Sequence, residues 1–228
     1  DMKTTELDTG IGKLSAQLDL RTDHGTGTLR ALLREADVFS QSYRPGTLAA
    51  RGFSPQDAAS LRPGIVCVSL SAWGDTGPWR NRRGFDSIVQ TVSGMALESG
   101  EKPRYMPVSA IDYVSGYLMA FGAMVALARR VREGGSWLVR VSLVRTGRWI
   151  VDCGDSGAAT LANLPVELPQ AEIDGLTSEI DAPAGRVRHL KPVLEMSETP
   201  PRWIRPPVPA GHHRAEWPSG SKNREEIA

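Results

Sequence analysis

The sequence predicts an α/β fold: a parallel, doubly wound sheet with flanking helices, followed by an extended Pro-rich carboxyl-terminal tail. Three observations carry this. Apolar runs of strand length alternate with helical patterns, and one of those runs, Ile65-Val66-Cys67-Val68-Ser69-Leu70, is apolar and β-branched as a strand buried on both faces must be. Prolines then gather over residues 192–218, where the backbone loses donors and tends to run extended.

Taken in order, a strand is expected over 15–20, then a helix over 26–36 with Leu29, Leu32, Leu33 and Ala36 on one face. Residues 36–40 form the next strand. Past Pro45-Gly46, Ser54 stands where an N-cap belongs, Pro55 at the first helical position and Asp57 at the capping-box position, so a helix starts there and ends by Pro63-Gly64. With 65–70 the order is β-α-β-α-β, and right-handed crossovers make the sheet parallel. Such sheets hold ligands outside the carboxyl ends of their strands, where the loops 42–46 and 71–78 fall. From Tyr113 to about Arg132 runs a helix that is apolar or small almost all round, the pattern of a buried helix. Arg129, Arg130 and Arg132 suit its carboxyl end, and Gly134-Gly135 stops it. Residues 137–143 alternate as a further strand. The chain thus divides into a core over 1–150 and a segment over 151–228, linker and Pro-rich, expected to pack on the core or on a partner chain.

The 228 residues carry 27 Lys+Arg against 26 Asp+Glu, a formal net charge of +1, which argues against a protein held on nucleic acid by bulk charge. Cys67 and Cys153 are too few for a disulfide framework and lack metal-ligand spacing, so no metal site is expected. The amino terminus is polar, and no apolar run is expected to approach the roughly 18 residues of a membrane span. A cytoplasmic protein without membrane partners is the expectation.

Several motifs tempt. Gly154-Asp155-Ser156-Gly157 has the form of a trypsin-like nucleophile segment, but His24 sits in a Gly/Thr-rich turn and His189, His212 and His213 in the tail, so a plain turn is the better reading. Gly25-Thr26-Gly27 lacks a third glycine in phase. His212-His213 lacks a carboxylate or Cys to complete a metal site. Asp112 is more informative. Lying between an extended segment over 106–111 and the long helix, it reads as an N-cap, and the same place suits a nucleophile, because the positive end of the helix dipole favours an ionised carboxylate.

Five blocks then stand in order: Leu18-Asp19-Leu20-Arg21; Ala36-Asp37-Val38 leading into Ser42-Tyr43-Arg44-Pro45-Gly46; Ser69-Leu70-Ser71-Ala72-Trp73-Gly74-Asp75-Thr76-Gly77-Pro78; Gly84-Phe85-Asp86 with Gln90 and Ser93-Gly94; and Asp112 before its helix. Each is weak alone, but together they make residues 12–143 resemble the family III CoA-transferases, the CaiB/BaiF family. The resemblance implies a Rossmann-like core, coenzyme A or acyl-CoA as substrate without a permanently bound cofactor, a small carboxylic acid as the other substrate, and an interlocked homodimer. It also implies Asp112 as a nucleophile that passes through an aspartyl anhydride and an aspartyl-CoA thioester. Asp86 falls at a second active-site carboxylate, for which a structural hydrogen bond is an equal reading. CoA contacts map to Leu18 and Arg21, to Ser42, Tyr43 and Arg44, and to Arg83, Gly84 and Phe85, with the three arginines on phosphates and Tyr43 on the adenine.

The chain also departs from the family. Ser42 stands where Asn is usual, the family's amino-terminal strand and helix are not found before Asp1, and no separate small domain is legible after Leu143. A truncated CoA-binding subunit needing a partner chain is therefore a second reading. A third is an α-methylacyl-CoA racemase-like enzyme, whose histidine would follow Gly84; that position is Phe85, which cannot carry a proton.

Overall fold

A computed structural model describes residues 4–97, 102–106, 108–154, 165 and 167–218. Its helices are α1 (Thr4–Gly10), α2 (Asp23–Glu35), α3 (Pro55–Leu61), α4 (Asp86–Val92), α5 (Ala110–Glu133), α6 (Leu143–Asp152) and α7 (Gln170–Leu176). Its strands are β1 (Val38–Gln41), β2 (Val66–Ser71), β3 (Trp137–Ser142), β4 (Thr177–Ala182) and β5 (Gly185–Leu190). The chain clusters into two compact units, 29–156 and the pairing of 1–28 with 157–228.

In the first unit β1, β2 and β3 form a parallel sheet in that order, with Val38 opposite Val66 and Val66 opposite Trp137. The expected α/β class with helices flanking a parallel sheet is what the molecule has. On one face Val66 and Val68 pack with Ala126 of α5, joined by Met119, Ala123 and Val139. Gly122 lets α5 approach closely, since a Cβ there would lie 2.6 Å from Val139 Cγ1. A second cluster, of Val89, Met95, Ile111, Leu143 and Ala72, binds α4, α6 and the start of α5 into one block at the carboxyl ends of β2 and β3. The α3 capping box forms as read: Ser54 Oγ accepts from Asp57 N at 3.1 Å, and Ser54 N donates to Asp57 Oδ2 at 2.8 Å.

The expectation for α5 needs correction. Only Ile111, Ser115 and Ala126 are buried along it, while Tyr113, Tyr117, Phe121 and Met124 are 47%, 61%, 61% and 61% exposed. Spacings of four, four and three place these four on one face, so α5 rests on the sheet by its small residues and turns an aromatic stripe outward. The view that no apolar run reaches the length of a membrane span is also wrong. An 18-residue window of α5 has mean hydropathy 1.5, so by length and composition this helix could cross one. Hydropathy cannot distinguish that from a helix whose apolar residues serve packing.

The second unit holds more structure than a Pro-rich linker. After α7, β4 and β5 form an antiparallel hairpin, Thr177 opposite Leu190, with Arg186 reaching Asp181 across it at 3.3 Å. The strand expected over 15–20 does not form. Its backbone is spent elsewhere: Ser15 O accepts from His213 N at 2.7 Å, Ser15 N donates to His213 Nδ1 at 3.1 Å, and Thr22 N closes a turn on Asp19 O at 3.1 Å. Gly12 N likewise donates to Arg205 O, at 2.9 Å, so the amino-terminal residues group with the carboxyl-terminal segment. Residues 202–204 and 206–209 have no regular secondary structure.

Candidate functional site

Asp112 is the third residue of α5, not its N-cap; the helix begins at Ala110, with Ser109 as N-cap and no side-chain capping bond from it. The capping role is filled from another element. Asp86, the first residue of α4 and 5% exposed, accepts the backbone N–H of Asp112 on Oδ2 at 3.1 Å. Its other oxygen, Oδ1, accepts from the side-chain amide of Gln90, which is 2% exposed. Gln90 in turn accepts the backbone N–H of Met106 on Oε1 at 2.9 Å. Every polar atom of this buried set has a partner, as a polar group in such a place requires.

Asp112 is open to solvent on its outer side. Desolvation on its inner side, and then the Asp86 carboxylate beside it, push its carboxyl above the ordinary aspartate range. Both act against the ionised form that a place in the first turn of a helix favours. A more basic carboxylate is, once ionised, a better nucleophile.

At the carboxyl ends of the strands lies a cavity of about 610 Å³, a size typical of small-molecule sites. Gln41, Ser71 and Ser142, the last residues of β1, β2 and β3, all line it, in accord with the strand-end rule. Its walls are largely apolar, from Phe39, Phe53, Leu118 and Trp149, and Arg44, Arg140 and Arg145 stand around them. Asp112 and Asp86 do not line this cavity. The connection runs through Ser115, one turn along α5 from Asp112, whose hydroxyl donates to Thr146 Oγ1 at 2.9 Å; Thr146 is a wall residue. Leu118, another wall residue, lies about 9 Å along the helix axis from Asp112.

Of the residues expected to contact CoA, Arg44 lines the cavity and also donates from Nε to Asn81 O at 3.3 Å. Ser42 and Tyr43 are exposed outside it. Arg83 is exposed and its carbonyl accepts the Trp73 indole N–H at 3.1 Å; Gly84 packs on Ala72 and Trp73, and Phe85 is 67% exposed. Leu18 and Arg21 belong to the other unit, where Arg21 forms a two-point pair with Asp19 at 2.9 and 2.8 Å that holds its guanidinium more firmly protonated. Arg140 and Arg145 went unnoticed in the sequence. A signal existed for Arg140, a charge interrupting the apolar strand Trp137–Ser142, where it meets Asp75 at 3.1 Å.

Gly25 and Gly27 lie within α2, so that segment forms no phosphate loop. Among the described residues no three His, Cys, Asp or Glu converge as metal ligands. Asp155, Ser156 and Gly157 lie outside the described residues, and with them the protease-like motif.

The sequence model of CoA-transferase family III matches residues 7–154, and the chain belongs to that family. It is 32% identical over 134 residues to a succinyl-CoA–D-citramalate CoA-transferase of Chloroflexus aurantiacus, covering 58% of this chain and 33% of the relative. It is 32% identical over 145 residues to a probable fatty acyl-CoA transferase, Rv3272, of Mycobacterium tuberculosis, covering 62% and 37%. The chain thus spans about a third of the length of these curated relatives. The crystal structure of an Asp-to-Ala mutant of Rv3272 superposes with a TM-score of 0.76 over 90% of this chain and 82% of that one, at 20% identity, a likeness of fold.

Proposed function

We propose that this chain moves CoA from an acyl-CoA to a free carboxylic acid, with Asp112 as the nucleophile. A carboxylate oxygen of Asp112 attacks the thioester carbonyl carbon; the C–S bond breaks, leaving a mixed anhydride and the CoA thiolate. The thiolate attacks the Asp112 carbonyl carbon and expels the donor as its carboxylate, giving an aspartyl-CoA thioester. The acceptor carboxylate attacks that thioester, and the released thiolate attacks the acceptor carbonyl of the second anhydride, yielding the new acyl-CoA and free Asp112. No proton is gained or lost over the cycle, and CoA is a substrate throughout.

The observation that carries this reading is a carboxyl made more basic by its setting, in the first turn of α5, with its backbone fixed by the buried Asp86, in a chain of this family. The relatives named as CoA-transferases support it. Phe85 speaks against the racemase, because no proton carrier stands there. Incubating the chain with a panel of acyl-CoAs and then hydroxylamine should leave a hydroxamate on Asp112; an unmodified Asp112 with every donor refutes the mechanism and favours a non-catalytic CoA-binding subunit.

Either anhydride would be lost to water, so Asp112 must be covered during turnover. The outward stripe of Tyr113, Tyr117, Phe121 and Met124 begins beside it, which supports the interlocked homodimer implied by the family. We also assign the cavity to the CoA moiety, with Arg44, Arg140 and Arg145 drawing its phosphates and the thioester end reaching out of it along α5, past Leu118, to Asp112. Arg145→Ala should weaken CoA binding about three- to tenfold in a calorimetric titration and leave the binding of dephosphorylated pantetheine unchanged. Equal losses for both ligands would remove Arg145 from phosphate recognition.

A further inference from the structure

The strongest pattern that the proposed chemistry leaves unused is the polarity of the buried set beneath α5. Met106 N can only donate, so Gln90 must turn Oε1 toward it and its amide nitrogen toward Asp86. Asp112 N can also only donate. Both Asp86 oxygens are therefore acceptors, and the orientation of one buried amide decides this. Rotating Gln90 by half a turn about its terminal bond would set donor against donor at Met106 and acceptor against acceptor at Asp86.

We propose that Gln90 is a positioning residue for Asp112: by fixing the Asp86 carboxylate, it holds the first turn of α5 and keeps a negative charge beside the nucleophile. This rests on the transfer reading above. It gives Asp86 a definite part as well, that of an acceptor that places Asp112 and not of a proton carrier. A network spanning α4, α5 and the segment at Met106 also explains why Gln90, a polar residue with full hydrogen-bonding capacity, is as deeply buried as the Val89 next to it.

The test is Gln90→Met, which keeps the length of the side chain and removes both hydrogen bonds, with Gln90→Asn as a second variant whose amide falls one carbon short of Asp86. Carboxyl-carbon NMR on the full chain follows the titration of Asp112. Its midpoint should move down toward the ordinary aspartate range in either variant, because the charge that raises it is no longer held in place. In the transfer assay kcat should fall about 10- to 100-fold while KM for the acyl-CoA stays within about twofold. In an Asp86→Asn background, Gln90→Met should add little to either loss, since the two act as one unit.

An Asp112 midpoint that stays in place in both variants overturns the proposal, as does a Gln90→Met effect of undiminished size in the Asp86→Asn background. A fall in thermal stability with kcat and midpoint unchanged reduces Gln90 to a core residue and overturns it too. If the unaltered chain transfers no CoA, the transfer reading fails, but the NMR midpoint still decides whether Gln90 governs Asp112.

Discussion

Asp112→Asn should abolish CoA transfer and at the same time make the protein more stable at neutral pH. Asparagine keeps the shape and the backbone N–H that Asp86 accepts, but it has no nucleophilic oxygen anion, so the rate should drop by roughly 10⁴-fold or more. The stability change has its own sign. The folded-state pKa of Asp112 is raised, so between the unfolded and folded values the native state binds more protons, and stability declines as pH rises through that window. Above it the full penalty of a partly desolvated anion beside Asp86 is present. The neutral amide removes that penalty, and the gain should vanish at acid pH, below both values, where Asp112 is itself neutral. Thermal unfolding of the two proteins between pH 3 and pH 8 checks this. A variant that is inactive but no more stable at any pH would show that Asp112 carries no strain of the kind a nucleophile has.

What could be read from the residues alone follows the range of the interactions. The α3 start at Ser54, Pro55 and Asp57 was legible because its partners lie within three residues of each other. The strand Val66–Ser71 was legible because its buried first half, Val66, Cys67 and Val68, is an unbroken apolar run of the kind a covered strand needs. Asp112 was singled out as a carboxyl at a helix mouth, yet its exact place in the first turn was not, since the group that caps it lies 26 residues earlier in the chain. Gln90 entered only as a letter in a family block. Its function depends on which way an amide faces, and no periodicity encodes that. The outward face of α5 was misread for a different reason: the apolar character of a helix residue does not record whether it packs on the sheet or faces outward, and on α5 the small residues do the packing.

Gly84→Ala should be the most damaging single methyl in the first unit. A Cβ at Gly84 would stand 2.5 Å from the Ala72 Cβ and 3.2 Å from the Trp73 indole. Ala72 is buried and its Cβ has no rotamer to move into, so the backbone must give way, at a cost of about 1–3 kcal/mol. The displaced segment is the one that carries Asp86, two residues on, and so the acceptor that places Asp112. Loss of stability should therefore come with a loss of transfer rate of about 100-fold, measured well below the melting point, because a shift of about 1 Å at a reacting group has that effect. Gly27→Ala supplies the contrast. Gly27 lies in α2, nothing stands within 4 Å of the added methyl, and alanine is the better helix former, so this variant should gain about 0.5–1 kcal/mol. If the two substitutions proved equally harmless in stability and rate, Gly84 would be tolerated for want of contact, and the close seating of the 83–86 segment on Ala72 could not be what fixes the nucleophile.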